Sequence, residues 1–129
     1  MSPWRISGQF QRDGLFVLPV RLNDRVFRLL FDPGAAFSSI APNVAVLLKL
    51  PAVGSESLLQ GGYHPVTCPV YLINSFQMGF IRRLNMRMVG MSIDLRLNFI
   101  GFLGMDFLCN YRFTLETDTA TLILRPLRK

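Results

Sequence analysis

Hydrophobic and polar residues alternate along much of the chain with the period of two that is typical of β-strands. Over residues 15–22 every second residue is apolar, and a second strand-like run extends from Arg25 to Phe31. The pair Asn23-Asp24 between these runs favours a tight turn. The pattern therefore predicts a β-hairpin that leads directly into Asp32.

Further short strands and one or two short helices are predicted after this hairpin. Pro42 favours the first turn of a helix in which Val44, Leu47 and Leu48 share a face and which Pro51 ends. The other apolar runs predict strands at residues 66–73 and 80–89 joined across Gly79, one helical turn at Met105–Leu108, and a terminal hairpin of residues 111–116 and 121–124. This succession predicts a single all-β domain over residues 1–129, with its core at about 15–124, built as a barrel or a sandwich.

The polar stretch of residues 53–66 contains the sequence Gln60-Gly61-Gly62-Tyr63. Two adjacent glycines give the backbone the freedom that the tip of a mobile hairpin needs. Taken without its context, the same pair is equally typical of an ordinary loop.

Length and composition favour a single soluble domain without a metal or cofactor. The chain has 129 residues, of which 50% are hydrophobic, and a chain of this size buries a core without disulfides. Cys68 and Cys109 lack the spacing of a zinc site or a disulfide framework, so we expect two free thiols. The first residues lack the apolar core of a signal peptide, and no apolar run approaches the roughly 18 residues of a membrane span. The cytoplasm is the default expectation for the location.

The net charge of +6 does not by itself indicate a nucleic-acid partner. A basic balance favours nucleic acid, anionic membranes or acidic peptides. The basic residues are nevertheless scattered singly, apart from Arg82-Arg83 and a group near the C-terminus, and they form no basic helix or aromatic-interleaved stripe. We therefore expect a solvated basic surface and no nucleic acid, and a nucleic-acid-binding barrel stays the most remote alternative.

Asp32 is the strongest candidate for chemistry. It directly follows an apolar strand and precedes Gly34, which permits a sharp and otherwise strained turn. Asp-Pro-Gly alone is a common turn sequence, so the tripeptide indicates either a turn former or a working acid. The remaining polar candidates predict structural roles: turns for Asp13, Asp24 and Asp118, the start or cap of the helical turn for Asp106, and an exposed loop for His64.

The order and spacing of these features resemble those of the retropepsin-like aspartic proteases over most of the chain. Residues 29–35, Leu-Leu-Phe-Asp-Pro-Gly-Ala, are similar to the family's catalytic Asp-Thr/Ser-Gly-Ala loop. Gly61-Gly62 resembles the tip of its flap, and Phe102-Leu103-Gly104 resembles its second apolar-apolar-Gly motif. The resemblance implies a small closed β-barrel and an aspartic endopeptidase active as a homodimer. It also implies a catalytic Asp32 and substrate-binding residues Gly34, Ala35, Gly61 and Gly62.

Peptide hydrolysis without a metal or a covalent intermediate requires two carboxyl groups. One is the base that activates water, and the other, protonated, polarises the carbonyl and later protonates the amine. Because the chain has a single Asp-x-Gly sequence, the two groups must be Asp32 of two chains related by a two-fold axis. A largely apolar cleft under a flap favours extended peptides with apolar residues beside the cut. Residues 121–124 are expected to offer an exposed edge to the dimer.

The sequence departs from the family at Pro33, where Thr or Ser is usual. In the family this hydroxyl and its backbone N–H hold the two catalytic loops together across the dimer axis, and proline has neither group. Proline also fixes φ and rigidifies the loop. The alternative is therefore a catalytically inactive homologue that serves as a dimerisation or peptide-binding module.

Overall fold

The computed structural model describes residues 2–59 and 64–127, and most of them lie in short β-strands. The elements are β1 Trp4–Ser7, β2 Gln9–Phe10, β3 Phe16–Leu22, β4 Arg25–Phe31, β5 Ser39–Ile40, α1 Pro42–Leu47, β6 Ala52–Leu59, β7 Pro65–Met78, β8 Ile81–Gly90, a 3-10 helix Leu95–Leu97, β9 Gly101–Leu103, α2 Met105–Leu108, β10 Tyr111–Glu116 and β11 Thr121–Pro126. The predicted all-β fold with two short helices is confirmed.

Six of the strands close into a small barrel. Along the larger sheet the order is β2-β3-β4-β9-β5-β8-β7-β6, and β3 also pairs with β7. The closed ring therefore consists of β3, β4, β9, β5, β8 and β7. β2 and β6 extend the sheet at its two margins. The other sheet has the order β1-β11-β10. The closed barrel is confirmed, and the sandwich is excluded.

The first predicted hairpin forms as expected. β3 and β4 pair with Leu22 opposite Arg25, which leaves Asn23 and Asp24 as a two-residue turn. Both turn residues have positive φ, 48° and 71°, as a type I′ turn requires. Asn23 also contacts β7, because its side chain accepts the N–H of Ser75 at 3.0 Å and its own N–H donates to the Ser75 carbonyl at 2.9 Å. These bonds hold the turn against the barrel.

β7 is longer than the strand that was predicted to end at residue 73. It continues through the polar residues Asn74 and Ser75, because the turn of the first hairpin supplies hydrogen bonds to the backbone there. Gly79, with φ 58°, begins the turn to β8, as predicted. β1 and β2 were not predicted, since β1 forms by pairing with β11 and carries little pattern of its own.

The core fills the barrel and continues under α1. Its largest fully buried side chains include Phe76 and Phe107. On α1, Val44 and Ala45 are buried, whereas Leu47 is 54% exposed, so the predicted apolar face that included Leu47 is wrong. The buried face of α1 includes Ala45 in place of Leu47.

The thiols and acidic side chains form no metal cluster in the part of the chain that is described. Cys68 is buried, Cys109 is exposed, and both are free thiols. Among residues 2–59 and 64–127, no three His, Cys, Asp or Glu side chains come together as a metal ion would need. No helix within these same ranges has the length and apolar character required to cross a membrane.

Candidate active site

Asp32 lies where two parallel strands end side by side. β4 runs parallel to β9, with Leu30 opposite Phe102 and Phe31 opposite Leu103. The backbone N–H of Asp32 extends this ladder by donating to the Leu103 carbonyl at 3.0 Å. The barrel therefore fixes the backbone of Asp32 directly, and the residue is half-buried.

A tight turn carries the chain away from Asp32. The N–H of Ala35 donates to the Asp32 carbonyl at 3.1 Å, and the N–H of Gly34 donates to Asp32 Oδ1, also at 3.1 Å. Pro33 is the second residue of this turn, a position that favours its fixed φ. Pro33 is exposed. Proline at this position is therefore compatible with the turn that the loop makes within one chain.

Gly34 does not have the strained backbone that was expected of it. Its φ is not positive, whereas Gly14 and Gly79 do have left-handed backbones. An added Cβ at Gly34 would instead lie 3.3 Å from Asp32 Oδ1. The expectation of a strained turn is wrong, and the absence of a side chain serves the close approach of the carboxylate to the turn.

The start of α2 crosses the segment that we call the Asp32 loop, residues 32–38. The N–H of Met105 donates to the carbonyl of Ala35 at 2.8 Å. A Cβ on Gly104 would lie 2.8 Å from the carbonyl oxygen of Ala35 and 2.7 Å from the carbonyl carbon of Phe37. Gly104, the glycine of the second motif, is thus the residue that lets the two segments meet.

An apolar surface, formed by the half-buried Phe102 over a small buried cluster, lies beside Asp32. Val17, Leu30 and Phe99 form a small buried cluster apart from the main core, and Phe102 packs against it. The ring centroids of Phe99 and Phe102 are 5.8 Å apart. Alternation along β4 directs Leu30 and Asp32 to the same side. The pattern of the sequence did not predict this surface.

The predicted flap corresponds to the hairpin of β6 and β7, in which Leu59 pairs with Pro65. Gly61 and Gly62, its predicted substrate-binding residues, lie outside the described residues. Ala35 is half-buried, and its N–H and carbonyl both make hydrogen bonds within the chain. A substrate-binding role for these residues stays a prediction.

The other polar candidates have the structural positions expected of them, and one of them, Asp106, also contacts the Asp32 loop. Asp13 and Asp24 lie in turns, Asp118 lies in the turn between β10 and β11, and His64 is exposed, as predicted. Asp106 lies in the first turn of α2, as predicted for a residue at its start, whereas Gly104 occupies the N-cap position without a side-chain bond. The carboxylate of Asp106 reaches the Asp32 loop, where it accepts two hydrogen bonds from Ser38.

Similarity to known proteins spans most of this chain. A family model described as aspartyl protease matches residues 18–107. The crystal structure of a retropepsin-like aspartic protease from Rickettsia conorii is similar with a TM-score of 0.64 and 24% identity, over 95% of this chain and 89% of that chain. No curated protein matches the sequence. The chain belongs to the aspartyl protease family and has the retropepsin-like fold.

Proposed function

We propose that this protein is an aspartic endopeptidase that acts as a homodimer, with Asp32 of each chain in one shared active site. The observation that carries the proposal is the position of Asp32 at the joined ends of β4 and β9. The backbone of Asp32 is fixed there, while its half-buried side chain lies next to the exposed residues of its loop. A carboxylate presented in this way is available to a partner chain and to a peptide.

The two carboxyl groups would share one proton, because two close negative charges repel each other. The ionised group takes a proton from water as the water oxygen attacks the peptide carbonyl carbon. The protonated group donates to the carbonyl oxygen, and a proton then passes to the nitrogen as the C–N bond breaks. The N–H of Gly34 binds Asp32 Oδ1 and orients the carboxylate during these transfers.

The apolar surface beside Asp32 supports a preference for extended peptides with apolar residues at the cut. Leu30 and Phe102 lie side by side two residues before Asp32 and Gly104, respectively. Phe102 is half-buried, so part of its ring is free to contact a substrate side chain. Burial of such a side chain against these residues would contribute to binding.

Pro33 supports a second candidate, an inactive homologue that binds peptides or dimerises without turnover. Proline brings neither the hydroxyl nor the N–H that the resemblance assigns to contacts between the two catalytic loops. Against this candidate, Pro33 suits its turn, and the bond from Gly34 to Asp32 is formed. If the protein is an inactive homologue, the wild type would not cleave peptides and Pro33→Thr would gain cleavage activity.

The expected edge for dimerisation must be corrected. Residues 121–124 belong to β11, which lies in the middle of its sheet between β1 and β10, so its edges are already paired. Among the described residues, the outer edges of this sheet belong to β1 and β10. β10 contacts the residue that precedes Asp32, since Phe113 packs on Phe31 with their ring centroids 5.7 Å apart. We therefore propose that β10 pairs with β10 of the second chain.

The sequence of β10 is self-complementary in an antiparallel pair centred on Thr114. In that register Arg112 of each chain lies opposite Glu116 of the other, and Phe113 lies opposite Leu115. Opposite charges and apolar pairs at facing positions both stabilise antiparallel strands. The pairing would join the two sheets of three strands into one sheet across the two-fold axis.

Arg112→Glu is expected to weaken the dimer, because it places like charges opposite each other twice across the axis. We expect the dissociation constant to rise by about tenfold or more, as measured by sedimentation equilibrium at low salt. The charge swap Arg112→Glu with Glu116→Arg should restore it. Arg87→Glu is the matched control, because Arg87 carries the same charge at an exposed position on β8, which has a strand partner on each side. Equal dimerisation of Arg112→Glu and Arg87→Glu would rule out this pairing.

The catalytic proposal is tested by proteolysis of an unstructured protein across pH of about 3–7, the range in which a shared-proton pair operates. Cleavage that a transition-state-mimicking hydroxyl peptide such as pepstatin inhibits would support the proposal. Peptide binding without cleavage at any pH, by a protein shown to be folded and dimeric, would favour the inactive homologue.

A further inference from the structure

Ser38 and Asp106 join the end of the Asp32 loop to the start of α2. The Oγ of Ser38 donates to Asp106 Oδ1 at 2.7 Å, and the N–H of Ser38 donates to Asp106 Oδ2 at 2.9 Å. The same Oγ accepts the N–H of Gly104 at 3.0 Å. Both carboxylate oxygens of Asp106 and both the Oγ and the N–H of Ser38 thus make hydrogen bonds. Hydrogen bonds to an ionised acceptor are stronger than neutral ones.

The burial of the two residues differs. Ser38 is 0% exposed and has both its Oγ and its N–H satisfied by the segment from Gly104 to Asp106. Asp106 is exposed, so it adds little to the core. Its carboxylate therefore contributes by fixing where the loop lies relative to α2, and its Oδ1 also accepts the N–H of Phe107 at 2.9 Å.

The middle of the Asp32 loop is exposed, and two backbone hydrogen bonds hold it: the N–H of Met105 donates to the Ala35 carbonyl at 2.8 Å and the N–H of Asp106 donates to the Ala36 carbonyl at 3.1 Å. Pro33, Gly34, Ala36 and Phe37 are exposed. At its start, the loop is held by the bond between Asp32 and the Leu103 carbonyl. At its end, it is held by the contacts of Ser38 with Gly104 and Asp106. The two end anchors and these backbone bonds together hold the loop that carries Asp32, and the contact of Ser38 with Asp106 is the one made by side chains.

We propose that Ser38 and Asp106 act as positioning residues for Asp32, an inference that rests on the proposed protease function. Acid–base catalysis requires reacting groups held within a fraction of an ångström, and small displacements cost large factors in rate. Loss of this second anchor lets the loop shift and moves the Asp32 carboxylate relative to its mate. The substrate-binding surface of Leu30 and Phe102 belongs to the barrel and stays in place.

Ser38→Ala is expected to lower kcat by about tenfold while KM changes by less than about twofold. Ser39→Ala is the matched control, because Ser39 is also 0% exposed and also uses its Oγ, which accepts the N–H of Phe102 at 3.3 Å. Ser39 contacts the strand β9 and not Asp106. We expect the control to lose comparable stability and to keep kcat within about twofold of the wild type.

Asp106→Ala removes the other half of the contact without opening a buried cavity, since Asp106 is exposed. It should lower kcat as Ser38→Ala does, and the double variant should be little worse than either single one, because both act through one contact. Asp106→Asn keeps one acceptor for the serine hydroxyl and should recover part of kcat. Additive losses in the double variant would contradict the coupling.

Amide hydrogen exchange at residues 34–36 separates a failure of this inference from a failure of the proposed function. If the wild type cleaves no peptide at any pH, the protease proposal fails, and the exchange rates alone decide the inference. We expect faster exchange in Ser38→Ala than in Ser39→Ala at equal global stability. If the two variants agree in both kcat and exchange, the positioning role is overturned.

Discussion

Asp32→Asn is expected to lower kcat/KM by at least about a hundredfold, the usual contribution of a general acid or base. Asn has the size of Asp, and its Oδ1 can still accept the N–H of Gly34, so the fold and the loop should persist. It cannot take up or release the proton that the reaction moves. The measurement is initial-rate cleavage of an unstructured protein across pH of about 3–7.

Asp118→Asn provides the control, because Asp118 lies in the turn between β10 and β11 and has no part in the proposed site. Mixing tests whether two chains share one site. Under free exchange of chains, an equal amount of Asp32→Asn should reduce the activity of a fixed amount of wild type to about half, since mixed dimers have one proton-transferring carboxyl. Full activity of Asp32→Asn alone would remove Asp32 from the mechanism, and unchanged activity in the mixture would remove the shared site.

The position of Asp32 was predictable because its signals are local in sequence. Alternation over β3 and β4, together with a turn that needs positive φ at Asn23 and Asp24, sets the hairpin and its register. A hairpin in register delivers Asp32 to the end of β4. The same reasoning could not give the pairing with β9, because parallel neighbours are far apart along the chain.

The position of Asp106 at the start of α2 was predictable, but its contact with Ser38 was not, because Ser38 is 68 residues away along the chain. Locally, an acidic residue after a glycine indicates a helix start, and nothing nearby distinguishes a cap from a longer-range acceptor. The apolar surface beside Asp32 had a weak signal. Residues 29–31 are all apolar, and such a run indicates a strand buried on both faces.

The terminal strands show why an exposed edge is hard to infer from sequence. Residues 121–124 have the apolar pattern of a strand, but the pattern does not say whether both of its edges find partners within the chain. β1 supplies the second partner of β11, although it has only four residues. The free edge therefore moves to β10, where the charge pattern of Arg112 and Glu116 becomes relevant to the dimer.

Gly101→Ala is expected to destabilise the protein by about 3 kcal/mol, at the upper end of the cost of overpacking. Gly101 pairs with Ile40 where β9 meets β5, and an added Cβ would lie only 2.0 Å from the backbone carbonyl oxygen of Ser39. The backbone of a central strand cannot move aside without disturbing its ladder. Urea unfolding monitored by tryptophan fluorescence would measure the loss in the free energy of unfolding.

Gly54→Ala is the control for this substitution, because an added Cβ at Gly54 meets no atom within 4 Å and the residue does not have positive φ. We expect its effect on the free energy of unfolding to stay within about 0.5 kcal/mol. The loss in Gly101→Ala should extend to catalysis, since β9 also carries Leu103, whose carbonyl holds the backbone of Asp32. Equal stability of the two variants would mean that β5 and β9 do not approach each other this closely. The close packing of β9 would then not explain how the backbone of Asp32 is held in place.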